Sequence, residues 1–69
     1  MILQTLQLAL DELPRDQRDV FVAHELEGVS FKQMAQSSGV AVGALLARKR
    51  RAILYLRQRL QSVYDELDI

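Results

Sequence analysis

The sequence predicts an all-α fold of four helices, with a helix-turn-helix in the middle of the chain. Apolar residues recur at three- and four-residue spacing, which places them on one face of successive helices. One proline and three glycines in 69 residues leave few breaks, and 49% hydrophobic residues indicate a folded chain. A chain of this length supplies one small core, so residues 1–69 are expected to form a single domain.

The first helix is expected over about residues 2–12. It should end near Leu13, because the residue before a proline, here Pro14, is disfavoured in the α region. Four leucines at helical spacing should share one face of it: Leu3, Leu6, Leu10 and Leu13.

The second helix is expected to start at Pro14, because proline suits the first helical position, where an amide hydrogen would have no partner. Asp16 lies in that first turn, where a negative charge interacts favourably with the helix dipole. Gly28 is the expected terminator, since glycine readily adopts the left-handed conformation that ends helices. The residues expected to face inward between these ends are Val20, Phe21, His24 and Leu26.

A short third helix is expected over about residues 31–37. Ser30 and Gln33 have the spacing of a capping box, in which each side chain accepts a bond from the other residue's backbone amide. Gly39 should end the helix with a positive φ and open a tight turn. The small side chain of Ala35 permits a close crossing with the helix that follows the turn.

The fourth helix is expected from Val42 to about Glu66 and is much longer than the others. At ~100° per residue, its apolar residues gather on one side: Leu45, Ala52, Ile53, Leu56, Leu60, Val63 and Leu67. Lys49 falls in the middle of this side and is expected to extend its amine to the edge of the core. Leu54 and Tyr55 lie away from this side and are expected to be exposed, either as ordinary surface residues or as a surface for a partner. The predicted core of the whole domain consists of Leu10, Phe21, Met34, Ala35, Val40, Leu45, Leu56 and Leu60.

Charge is distributed unevenly along the chain, although the net charge is zero. Residues 1–29 carry two basic and six acidic side chains, residues 30–60 carry seven basic and no acidic ones, and residues 61–69 carry three acidic ones. Such sorting suggests that the middle segment meets an anion such as nucleic acid, and that the acidic segment meets something else.

The composition excludes several classes of function. The chain has no cysteine, so disulfides and cysteine-based zinc sites are absent. Its single histidine, His24, is expected at the edge of the core, because no serine nucleophile or carboxylate pair is placed to work with it. We therefore predict a protein that is not an enzyme, with no catalytic residue, no metal and no cofactor. No apolar run approaches the ~20 residues of a membrane span, and the first residues lack the basic segment of a signal peptide. A cytoplasmic protein without membrane contact is expected.

Residues 30–52 have the pattern of a helix-turn-helix: a capped short helix, a glycine turn and a long helix with a basic front. In such a motif the second helix enters the major groove of DNA. Arg50 and Arg51 point outward and are candidates for base contacts, because a planar guanidinium can bind guanine bidentately. Arg48 is expected on a phosphate. The remaining expected contacts to the DNA backbone are Ser30, Lys32, Val42 and Gly43, the last two through the free amides of a helix N-terminus.

Three blocks of sequence resemble region 4 of the sigma-70 family. Residues 10–21 (LDELPRDQRDVF) are similar to L-x-x-L-P-x-x-x-R-x-V-F, residues 25–35 (ELEGVSFKQMA) to E-L-E-G-L-S-Y-x-E-I-A, and residues 39–43 (GVAVG) to G-V-P-V-G. The pattern most resembles the extracytoplasmic-function, or group 4, sigma factors, and extends over roughly residues 8–60. The resemblance implies a winged-helix-like region 4 fold without a wing and recognition of the promoter −35 element on double-stranded DNA. It also implies docking on the β flap of the RNA polymerase core and, in many members, control by an anti-sigma factor.

The fourth helix departs from the family pattern where the family meets DNA. The family typically continues Thr-Val-Lys/Arg-Ser-Arg-Leu-x-Arg-Ala, whereas residues 44–52 read ALLARKRRA. Leu46 and Ala47 stand where the family has a basic residue and a serine, and Lys49 replaces a core leucine. The candidate DNA-binding residues are Ser30, Lys32, Val42, Gly43, Ala44, Leu46, Ala47, Arg48, Arg50 and Arg51.

Two alternatives to promoter recognition also fit the sequence. One is a degenerate region 4 that binds polymerase, an anti-sigma factor or itself with little DNA readout, which the apolar Leu46 and Ala47 favour. The other is a stand-alone regulator that forms a homodimer through the fourth helix. Polymerase is expected on the acidic first half, with apolar groups as the anchor and charges setting the orientation. The acidic residues in question are Asp11, Glu12, Asp16 and Asp19.

Overall fold

The computed structural model describes the backbone of residues 2–67 and the side chains of residues 3–61, 63 and 65. This part of the chain contains helices and no strand, which confirms the predicted all-α fold without a wing. The four α-helices are α1 (Ile2–Glu12), α2 (Arg15–Phe21), α3 (Phe31–Ser38) and α4 (Val42–Leu67), and a π-helical turn (Val22–Leu26) continues α2. No helix in the described residues is long and apolar enough to cross a bilayer.

Proline marks the start of α2 from just outside the helix. Pro14 is the N-cap, with φ −53° and ψ 144°, and the first helical residue is Arg15. The prediction that Pro14 is itself the first helical residue is wrong by one position. Its carbonyl accepts bonds from the amides of Gln17 and Arg18 at 3.1 and 3.0 Å, so an extended proline can still close the first turn.

The end of the second helix widens into a π-helical turn. The amide of Glu27 bonds the carbonyl of Val22, five residues back, at 3.1 Å. Leu26, the last residue of this turn, is 65% exposed, so the expectation that it faces inward is wrong. Gly28 ends the segment with φ 71°, the predicted left-handed terminator.

The helix-turn-helix is held by the local interactions that its sequence predicts. The Ser30 hydroxyl oxygen accepts a bond from the Gln33 amide at 3.1 Å, and the Ser30 amide donates to Gln33 Oε1 at 3.1 Å, which completes the capping box. At the other end of α3, Gly39 has φ 75°, and its amide donates to the carbonyl of Ala35 at 3.0 Å. These caps fix where α3 begins and ends, and therefore where α4 starts.

The core consists of two clusters that α4 joins. In the first, buried residues of α4 pack against the end of α1: Ala9, Leu13, Ala52 and Leu56, flanked by Leu6, Leu10, Phe21 and Tyr55. In the second, α2, α3 and the front of α4 meet: Val20, Met34 and Leu45, flanked by Ala23, Val29, Phe31, Ala35 and Val40. All eight predicted core residues are buried or half-buried. Leu3 is 74% exposed, because the packed part of α1 begins at Leu6.

Tyr55 occupies a position that its angle on α4 did not predict. Its ring is half-buried against the first cluster, and its hydroxyl donates a hydrogen bond to the Glu12 carboxylate. The expectation of an exposed residue is therefore wrong. The reason is that α1 and α2 both pack on α4, so the buried side of this helix is broader than its apolar stripe.

Candidate nucleic-acid interface

The front of α4 presents its side chains outward because Leu45 anchors it from behind. Leu45 is 2% exposed and packs against Val20 and Met34. With Leu45 fixed inward, the neighbouring residues lie on the outer surface of the helix-turn-helix. Seven of the predicted DNA-binding residues are exposed there: Val42, Gly43, Ala44, Leu46, Ala47, Arg50 and Arg51.

The arginines of α4 fall into two groups. Arg50 and Arg51 are exposed, and neither has an ion-pair or hydrogen-bond partner among the described residues. Arg48 instead lies 3.6 Å from the Asp16 carboxylate on α2, and 32% of its side chain is exposed. The guanidinium groups of Arg50 and Arg51 are therefore available to an anionic ligand, whereas Arg48 would have to exchange Asp16 for a phosphate.

Further hydrogen-bond donors lie at the starts of both helices of the motif. The amides of Ala44 and Leu45 bond the carbonyl of Ala41 at 3.1 Å each, whereas those of Val42 and Gly43 have no intrahelical acceptor. Ser30 is exposed, and although its hydroxyl oxygen accepts the capping bond, the hydroxyl hydrogen has no acceptor in the described part of the chain. Lys32 is exposed on the first turn of α3. Backbone amides, a hydroxyl and an ammonium group are hydrogen-bond donors of the kinds that bind phosphate oxygens of DNA.

Lys49, the unexpected charge on the apolar side of α4, is held by the π-helical turn. Its ammonium group donates to the Glu25 carboxylate and lies 2.6 Å from His24 Nδ1 and 5.7 Å from the centre of the Phe31 ring. Only 12% of the side chain is exposed. The amine thus reaches the edge of the core, as predicted. The hydrogen bond from Lys49 lowers the pKa of Glu25 below its ordinary value.

His24 lies at the core edge, where the sequence placed it. Its ring stacks on Phe31 with 4.2 Å between ring centres, and 33% of its side chain is exposed. Lys49 and Glu25 are its polar neighbours. No group of three metal-ligating side chains occurs among the described residues.

A groove beside α4 adds a residue that the sequence reasoning missed. Arg57 is exposed and lies on the same flank of the helix as Arg50, with the half-exposed Leu46 and Leu54 and part of the Phe31 ring along the same groove. The two arginines are seven residues apart, close to two helical turns, so their spacing could have identified Arg57 from the sequence. The outer surface of α4 is therefore apolar as well as basic.

The acidic first half is largely occupied by contacts within the chain. Glu12 accepts bonds from Arg59 at 2.7 and 3.2 Å and from the Tyr55 hydroxyl, and Asp16 pairs with Arg48. Asp19 lies 3.7 Å from Arg15. Of the four acids expected to face polymerase, Asp11 is the one without an ion pair among the described residues.

Two of these pairs, Arg15 with Asp19 and Arg48 with Asp16, lie at a cleft between α2, α3 and α4. The cleft has a volume of about 490 Å³, with an apolar floor formed by Val20, Met34 and Leu45. Its rim carries charged groups of both signs: Arg15, Asp16, Asp19 and Arg48. An apolar floor with a charged rim is suited to an anchoring side chain of a protein partner.

The contact between Glu12 and Arg59 should make the stability of the domain depend on pH. The hydrogen bonds from Arg59 and Tyr55 hold the pKa of Glu12 below its ordinary value of 4.5. A lowered carboxyl pKa contributes stability that is present above pH 4.5 and is lost as the pH falls through the lowered value. We expect Glu12→Gln to lower the melting temperature at neutral pH, and the difference from the unsubstituted protein to shrink below pH 4.5.

Thermal unfolding followed by circular dichroism over a pH series measures this effect, with Asp11→Asn as the matched control. Asp11 is the exposed neighbour of Glu12 and has no described ion pair, so its variant should follow the unsubstituted protein throughout. A constant gap between the Glu12→Gln variant and the unsubstituted protein across the series would show that the pair contributes nothing through charge.

Comparison with known proteins adds one match. Residues 3–56 match the family model described as "Sigma-70, region 4". The match covers α1, α2, α3 and the front of α4, including the whole helix-turn-helix. No curated protein and no solved structure matches the chain.

Proposed function

Because this chain belongs to the sigma-70 region 4 family, whose domains bind DNA in transcription initiation and are not enzymes, we propose that it recognises the promoter −35 element. In this proposal the front of α4 enters the major groove. A second surface of the domain meets the β flap of RNA polymerase.

The observation that carries the proposal is a pair of exposed arginines at the front of α4 that have no partner among the described residues. Arg50 and Arg51 project from a helix whose start is set by Gly39 and whose back is anchored by Leu45. An arginine without an internal partner can meet a phosphate or a guanine edge without first breaking an ion pair. The capped helix α3 supports this helix from behind, which is the arrangement of a helix-turn-helix.

The cleft between α2, α3 and α4 supports polymerase docking. Its apolar floor at Val20 and Met34 can take an apolar anchor, and the charges of Asp16 and Arg48 on its rim can orient the partner. Arg48 lines it but Arg50 and Arg51 do not, so Arg48 is the one α4 arginine that both protein and DNA could contact.

A second candidate function is protein binding by the outer surface of α4. Leu46 is 48% exposed and Leu54 is 54% exposed, next to Arg50 and Arg57. Exposed apolar surface of this kind can mark a protein-interaction site, and here it favours a partner such as polymerase, an anti-sigma factor or a second copy of the chain. The two functions differ in their dependence on salt.

The test is a titration of the intact chain with duplex DNA at several salt concentrations. Binding should weaken steeply as salt rises, because each neutralised phosphate releases condensed counterions. Arg50→Ala and Arg51→Ala should each reduce the slope of log affinity against log salt by about one if the residue binds a phosphate. Arg48→Ala should change the slope less, because Asp16 already partners this side chain.

Arg15→Ala is the matched control for loss of a positive charge. Its side chain is 86% exposed at the start of α2 and lines the cleft with Val20 and Met34 rather than the groove beside Arg50, so the slope should stay unchanged. Affinity that does not depend on salt, or slopes that are equal in all four variants, would exclude DNA binding by α4 and leave the protein-binding function.

A further inference from the structure

The tip of the proposed recognition helix is apolar. Ala44, Leu46 and Ala47 are exposed there, and none of their side chains can donate or accept a hydrogen bond. Leu46 differs sharply from its neighbour: Leu45 is 2% exposed, whereas Leu46 is 48% exposed. The apolar surface of Leu46 is thus left open by the fold itself.

The position of Leu46 matches the part of a helix-turn-helix that reaches the bases. It is the fifth residue of α4, one helical turn before the unpaired Arg50 on the same flank. Residues near the N-terminus of the second helix contact base edges in this motif. If Arg50 contacts DNA, Leu46 lies nearer the N-terminus of α4 and therefore closer to the base edges in the major groove.

The major groove offers one apolar group, the methyl at C5 of thymine. The other groups at the base edges are hydrogen-bond donors and acceptors, which Leu46 and Ala47 cannot satisfy. Packing Leu46 against those donors and acceptors would exclude water from them and supply no hydrogen-bond partner in its place, which would weaken binding. A thymine methyl has no such requirement, and covering it removes apolar surface of both molecules from water.

We infer that Leu46, with Ala47 beside it, reads thymine through its methyl group, so that this domain selects sites with thymine beneath the front of α4. The inference rests on the proposed DNA-binding function. The arginines supply affinity in this scheme, and the apolar tip supplies the preference for thymine over cytosine.

The test replaces thymidine with deoxyuridine, which removes the methyl group and keeps base pairing. The probes are a duplex carrying a −35-like element in A·T-rich flanks and the same duplex with uracil at every thymine. Burial of one methyl-sized group contributes about 0.8 kcal/mol, which corresponds to about a fourfold change in affinity. The intact protein should therefore bind the uracil duplex about fourfold more weakly for each methyl that Leu46 contacts.

Two variants assign the effect to Leu46. Leu46→Ala should bind both duplexes with nearly equal affinity, and Leu46→Asn, which keeps the size of the side chain, should do the same. Leu54→Ala is the matched control, because Leu54 is 54% exposed on the same helix but lies two turns farther from its tip, so discrimination should persist.

The outcomes separate this inference from the function on which it rests. Salt-dependent binding with equal affinity for the two duplexes would overturn thymine reading and leave DNA binding intact. Discrimination that survives both Leu46 variants would also overturn it, since the methyl would then be read elsewhere or act through DNA shape. Binding that is absent or independent of salt defeats both proposals.

Discussion

Replacing Leu45 with alanine is expected to unfold a large fraction of the protein at room temperature. Leu45 is 2% exposed and joins α4 to Val20 and Met34. Truncation of a buried leucine costs about 2–5 kcal/mol, through lost transfer energy and the cavity left behind. The single core of a chain this short rarely supplies more than about 3–5 kcal/mol of stability. The loss is therefore comparable to the whole stability.

Urea unfolding monitored by circular dichroism measures this loss, and Leu46→Ala is the matched control. The same chemical change one residue along the helix removes a side chain that is 48% exposed, so its cost should stay below about 1 kcal/mol. An equal loss of unfolding free energy in the two variants would contradict the orientation of α4, because it would mean that Leu45 and Leu46 are similarly buried.

The helices were predictable from the sequence because their ends are set by neighbouring residues. The capping box joins residues three apart, and Gly39 ends α3 through its own φ and a bond to the carbonyl four residues back. Such interactions depend little on the rest of the fold. The π-helical turn was not predicted, because the same residues could equally have formed an ordinary α-helical turn. The bond from the Glu27 amide to the Val22 carbonyl, which distinguishes the two, leaves no signal in the sequence.

Contacts between residues far apart in the chain were harder to predict from the sequence. Tyr55 and Arg59 meet Glu12 more than forty positions away along the chain, and Arg48 meets Asp16 from another helix. A helical projection gives the direction of each side chain but not which helix lies there. The sorted charges of the two halves therefore looked like separate surfaces for two ligands, whereas part of each is used to hold the halves together.

The candidate site was predictable where it depends on direction alone. Arg50 and Arg51 point outward because Leu45 points inward, and this follows from the helical period. The resemblance to region 4 identified Leu46 and Ala47 as departures at positions that meet DNA, and the family match includes those positions. Which DNA sequence such a surface reads depends on the hydrogen-bonding and apolar groups that its side chains present to the bases.

Substituting Leu46→Arg together with Ala47→Ser is expected to increase discrimination between a −35-like duplex and a scrambled one. The guanidinium can bind guanine O6 and N7 bidentately, and the serine hydroxyl can bond a neighbouring base or phosphate. A good bidentate contact contributes about 1–3 kcal/mol, which corresponds to a gain of about fivefold to 150-fold in discrimination. The exposure of both residues means that the fold should tolerate the change.

The same double variant should lose its preference for thymine over uracil, because the apolar tip that covers the methyl group is gone. Competition binding with the −35-like, scrambled and uracil-substituted duplexes measures both changes in one experiment. Leu54→Arg is the control for added charge: it should tighten binding to all duplexes alike, since a charge near the backbone attracts phosphate without reading sequence. If the double variant folds and binds no more selectively than Leu54→Arg, the front of α4 does not lie against base edges. In that case the apolar and basic groove of Leu46, Leu54 and Arg57 is better explained as a protein-binding surface.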